Sequence, residues 1–217
     1  MSRSGISSTF FVETLALNNR LNVIARNLAV SDERRQIQIQ TSDYDRPWNY
    51  GSFSIDVGFN AEGDFDGAIR TETIDVVSLD EDPLLADVEK IHLIKADVEG
   101  AEPRVVVGAA KLIARHRPYL YLEAGSEASV AALVAILTPS DYVGYWFLAL
   151  RYRRDNFNSA PFQPEISARY DVSILFCPRE KPSLNLPLVG DALSAPKGLP
   201  VLTAFPHPPG QPVEFVT

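Results

Sequence analysis

The chain has 217 residues, 46% of them hydrophobic and 22% charged, proportions that exclude a disordered polymer and suit one large or two small folded domains. Twelve glycines and a single cysteine exclude collagen and a disulfide scaffold. The longest apolar run, Val130 to Leu137, is far short of the ~20 residues needed to cross a bilayer. Twenty basic against 28 acidic residues give a formal charge of −8. That sign repels phosphate backbones, so neither nucleic acid nor a membrane is an expected partner. Cys177 has no intrachain partner, which points to a reducing, cytoplasmic setting. Glu13 interrupts the apolar stretch near the N-terminus, so a signal peptide is not expected.

In chain order, Phe10 to Leu17 carries apolar residues at helical spacing and ends at Asn18-Asn19. Asn22 to Val30 reads as a strand closing on Ser31-Asp32. Gln36 to Gln40 alternates as a half-exposed strand should. A Gly-, Asn- and Asp-rich stretch from Asp43 to Gly67 encloses the alternating Phe53, Ile55 and Val57. Arg70 to Leu79 is a third strand candidate. Residues 36–80 therefore predict an antiparallel β excursion.

From Ile91 the pattern becomes α/β. Ile91 to Ala96 is a short apolar strand ending at Asp97. Pro103 suits the first turn of a helix, and that helix is expected to run to about His116. Arg115, His116 and Arg117 supply positive charge at its C-terminal end. Tyr119 to Leu122 is the next strand and ends at Glu123. A helix follows from about Ser126 to Leu137, and a final strand spans Val172 to Cys177. Strand, helix, strand, helix at this spacing implies parallel βαβ units. Nine of the 16 prolines lie from Pro178 onward, so residues 181–217 are expected to be a tail with little regular structure.

Ligands of open α/β sheets bind beyond the carboxyl ends of parallel strands. Asp97, Glu99, Glu102 and Glu123 fall at such ends, and Asp32 ends an earlier strand. Alternation along an extended segment would point Asp97 and Glu99 into one cleft. Carboxylates there could orient a hydroxyl, bind a cation or act as a general base. Equally, Asp97 could cap the following helix, and Glu99 and Glu102 could complement its dipole. Lys95 shares a strand face with Asp97, as an ion pair or as a substrate contact. His92, His116 and His207 show no metal spacing, so no metal ligands are assigned. Cys177 lies within an apolar strand and reads as buried and inert.

The run from Leu93 to Glu102, with Gly108-Ala109, Arg117-Pro118 and Glu123, resembles the FkbM family of S-adenosylmethionine-dependent methyltransferases. The stretches Asn27 to Asp32, Thr73 to Asp80, Asp155 to Phe157 and Ser173 to Pro178 extend the resemblance over residues 10–180. It implies a Rossmann-like sheet of strand order 3-2-1-4-5-7-6. The implied reaction moves a methyl group to a hydroxyl of a small metabolite or sugar. Ser31, Asp32 and Asp97 would contact the cofactor, and Asp97, Glu99, Lys95 and Glu123 would serve catalysis. The family's opening strand, Gly-rich turn and second strand have no counterpart before Phe10. The resemblance therefore implies an incomplete α/β fold lacking its first two βα units, through a misplaced start or a truncation. Weak binding of S-adenosylmethionine and an unpaired edge on strand four are expected in consequence, and a non-catalytic binding remnant is the alternative function.

Overall fold

A computed structural model describes residues 12–42, 58, 67–150, 152, 159, 161–163, 170–190, 201–202 and 215–216. The predicted strand at Phe53 to Val57 lies outside them. The chain divides into two compact units, one of residues 1–88 and 104–112, the other of residues 89–103 and 113–217.

In the first unit, helix α1 spans residues 12–17. A three-stranded sheet follows, built from β1 (Ala29–Val30), β2 (Arg35–Ser42) and β3 (Ile69–Val77) in the order β1-β3-β2. The antiparallel β2–β3 ladder runs from Arg35 opposite Val76 to Ser42 opposite Ile69. This is the predicted excursion, with the strand periodicity of Gln36 to Gln40 intact. The strand expected over Asn22 to Val30 shrinks to two residues. Only Ala29 and Val30 find partners, parallel to Val76 and Val77. Upstream, Leu21 and Ile24 are 79% and 76% exposed, so no packing holds that segment extended.

After β3, a 3-10 turn (Leu79–Glu81) leads into α2 (Pro83–Ala86). Asp82 caps α2 by accepting from Leu84 N at 3.1 Å, and Pro83 occupies the first turn, where its missing N–H costs nothing. The Arg26 guanidinium closes on the buried Asp82 carboxylate.

The single helix expected from Pro103 to His116 is two, α3 (Glu102–Val107) and α4 (Ala110–His116). The break falls at Gly108 for a local reason. Its carbonyl accepts from Ser78 Oγ at 2.9 Å and from Asp80 N at 2.8 Å. Asp80 then receives the free N–H groups of Lys111 and Leu112 at 2.9 and 2.8 Å. A carboxylate from outside the helix thus starts α4 afresh.

The second unit is a six-stranded sheet of order β4-β5-β7-β6-β8-β9. Its strands are β4 (Leu93–Ala96), β5 (Tyr119–Glu123), β6 (Tyr142–Leu150), β7 (Tyr170–Pro178), β8 (Val201–Leu202) and β9 (Phe215–Val216). Strands β4 and β5 are parallel. Both β5 and β6 run antiparallel to β7, so they are parallel to each other, and α5 (Glu127–Leu137) connects them as a crossover. Ser126 caps α5 by accepting from Ser129 N at 3.1 Å. Val130, Leu133 and Leu137 form its buried stripe. With Leu120, Leu122, Ile174, Phe176 and Trp146 they make a core in which each large side chain is worth about 1.5–3 kcal/mol.

Strand β6 was not expected from sequence. Its run of Tyr, Val, Trp, Phe and Leu pairs with β7 over nine residues. The tail is also more ordered than its prolines suggest. Proline lacks an N–H but keeps its carbonyl, and Pro187 O accepts from Trp146 N at 2.8 Å. Val189 N returns a bond to Gly144 O, and Leu202 of β8 registers with Ala149. At the opposite side of the sheet, β4 is the terminal strand and Leu93 is 55% exposed. Among the described residues, no helix is long and apolar enough to cross a membrane.

Candidate functional site

Strands β4 and β5 end side by side because their register sets Ala96 opposite Leu122. The next residue on each strand is acidic, Asp97 on one and Glu123 on the other. The β4 chain then turns sharply. Glu99 and Gly100 take positive φ values of 51° and 96°, and Ala101 N closes the turn on Val98 O at 3.3 Å. One carboxylate oxygen each from Asp97, Glu99 and Glu123 lies within 4.8 Å of the others. Alternation along a strand is not what brings Asp97 and Glu99 together; the left-handed turn at Glu99 does that.

Lys95 Nζ donates to Asp97 Oδ2 at 2.6 Å, and both side chains are about half exposed, so the bond adds little stability. It orients the Asp97 carboxylate. Glu102 is fully buried at the start of α3. Its Oε1 accepts from Val98 N at 2.9 Å, which ties the carboxylate to the backbone of the 97–99 turn. Its Oε2 has no partner among the described residues, and neither does Glu123 Oε2.

Crowding has an electrostatic consequence. Burial pushes the Glu123 carboxyl up to about 7, and the charges of Glu99, Asp97 and Glu102 push the same way. A hydrogen bond from the protonated Glu123 to Asp97 completes the effect. Near neutral pH this carboxyl therefore exchanges a proton.

The structure thus gathers Lys95, Asp97, Glu99 and Glu123 in one unit. Ser31 and Asp32 belong to the other. There Ser31 N bonds Val77 O at 3.0 Å, and Ser31 Oγ donates to Asp32 Oδ1 at 2.8 Å. That hydroxyl, aided by Arg35 and opposed by burial, holds the Asp32 carboxyl below its usual range.

His116 departs from the expected helix-end charge. It is 2% exposed, and burial, with Arg115 and Lys90 nearby, lowers its pKa and keeps the imidazole neutral. Arg115 keeps positive charge in the last turn of α4, and Lys90 adds to it through its ammonium, which donates to His116 O. Cys177 is buried and its thiol is pushed up to about 11.

The family model of the methyltransferase FkbM domain matches residues 7–151. No curated protein matches. Among solved structures, the crystal structure of Methyltransferase FkbM from Methylobacillus flagellatus KT at 2.20 Å resolution aligns at 17% identity with a TM-score of 0.43. The alignment covers 79% of this chain and 34% of that one, so the chain spans about a third of that protein's length.

Proposed function

The chain belongs to the FkbM methyltransferase family, and from that premise we propose that it serves S-adenosylmethionine-dependent transfer of a methyl group to a hydroxyl of a small molecule. The observation that carries this reading is the meeting of Asp97, Glu99 and Glu123 at the carboxyl ends of two parallel strands. Ligands of open α/β sheets bind at that edge. The order β4-β5-β7-β6, with β7 antiparallel, also agrees with the 4-5-7-6 half of the sheet that a Rossmann-like methyltransferase requires.

The described residues suit the cofactor on one side. Its sulfonium and ammonium groups are cationic, and the β4–β5 edge presents three carboxyls, with the buried Glu102 carboxylate behind their turn. On this reading Asp97 faces the cofactor. When bound, the cofactor supplies an electrophilic methyl group.

The chain's own residues then handle the acceptor. Asp97, steered by Lys95, takes the hydroxyl proton, which makes the oxygen a better nucleophile. Glu99 and Glu123 hold the acceptor by further hydrogen bonds, and positioning of this kind supplies much of the rate.

The test is methyl transfer from tritiated S-adenosylmethionine to a pool of small hydroxylated metabolites. Label is expected in a base-stable ether, and Asp97→Asn is expected to lower its rate about 10²–10⁴-fold. Equal labelling by the variant, or labelling of nitrogen alone, contradicts the reading.

A further inference from the structure

We propose that Asp97, Glu99 and Glu123 bind one hard divalent cation of calcium or manganese size at the joined ends of β4 and β5. The three ligand oxygens are no more than 4.8 Å apart. Two oxygens on opposite sides of a bound calcium are separated by twice a bond of about 2.4 Å, so the three carboxylates are close enough to share one such ion. The donor set is all oxygen, with no histidine or thiolate, which selects hard cations over zinc or copper.

An acidic cluster alone does not make a metal site, since exposed carboxylates repel one another and usually face water. The buried Glu102 distinguishes this one. It is 0% exposed, its Oε1 is committed to Val98 N, and its Oε2 has no partner. Because its partner oxygen bonds Val98 N, between Asp97 and Glu99, the unsatisfied oxygen lies close to the ligand-bearing loop. A buried carboxylate oxygen left unbonded costs free energy that a cation, or a water on that cation, recovers. Among the described residues, Lys95 sits on Asp97, with both side chains about half exposed. The remaining coordination positions, of about six to eight for calcium, are open to water and to an acceptor hydroxyl. That last role rests on the methyl-transfer reading; the binding of the ion does not.

Mn²⁺ alone is the probe, titrated into the chelator-treated full chain and read by electron paramagnetic resonance. One saturable Mn²⁺ per chain is expected, displaced by Ca²⁺ in competition. Glu123→Gln is expected to weaken it at least tenfold, and Asp141→Asn, at the end of a 3-10 turn, to leave it unchanged. Circular dichroism confirms the fold of each variant. Should Glu123→Gln not fold, Asp97→Asn gives the same reading. Absence of saturable binding up to about 1 mM, weaker than any working calcium site, overturns the proposal. Equal affinity in wild type and folded variants overturns it too. No cofactor or acceptor is present, so failure here leaves the methyl-transfer assay to be judged separately.

Discussion

Gly108 lies so close to Ser31 that a Cβ added to the glycine would stand 2.1 Å from the Ser31 carbonyl oxygen. The same glycine gives its own carbonyl to Ser78 and Asp80. One small residue therefore breaks the helix between α3 and α4 and backs the loop that carries Ser31 and Asp32. Backbone atoms form the obstacle, so no side chain can swing aside. Gly108→Ala is expected to cost about 1–3 kcal/mol and to lower the urea midpoint accordingly. An unchanged midpoint contradicts the contact.

The Glu123 carboxyl supplies a pH signature. Its pKa in the folded chain is about 7, above the ordinary carboxylate range of the unfolded chain. Between those limits the folded chain holds the extra proton. Stability from this group is thus complete at acid pH and is lost as pH rises through about 7. Gln at this position has no proton to lose. In chelator, Glu123→Gln is expected to gain on wild type between about pH 4 and pH 8, most steeply in the middle of that range, in urea titrations. Parallel stability curves for the two proteins contradict this.

Cys177 tests the core. Burial raises its thiol to about 11, so little thiolate exists near neutrality, and the sulfur is screened from reagent. Iodoacetamide is expected to leave the native chain unmodified over hours and to label it fully in urea, as mass spectrometry reads. Rapid labelling of the folded chain contradicts the placement of β7.

Much of this arrangement was legible in the sequence where local pattern and burial agree. The alternating Gln36 to Gln40, the apolar Tyr119 to Leu122 and the Ser126 cap each carry their own signal. The acids at 97, 99 and 123 could be named as strand-end residues. Their meeting depends on the parallel register of β4 and β5, which residue spacing does not contain. The break at Gly108 was hidden because Ser78 and Asp80 impose it from some 30 residues away. Strand β6 was hidden because its residues are apolar on both faces, so it lacks the alternation that marks half-exposed strands. The strand at Asn22 to Val30 was over-read, since apolar residues there had no ladder to join.

The most direct test of the central claim is a titration of the isotopically labelled chain with S-adenosylmethionine, followed residue by residue through backbone amide resonances. The account predicts the largest shifts at Asp97 to Glu102 and Glu123 to Gly125. Shifts confined to other residues, or none up to millimolar cofactor, would contradict it.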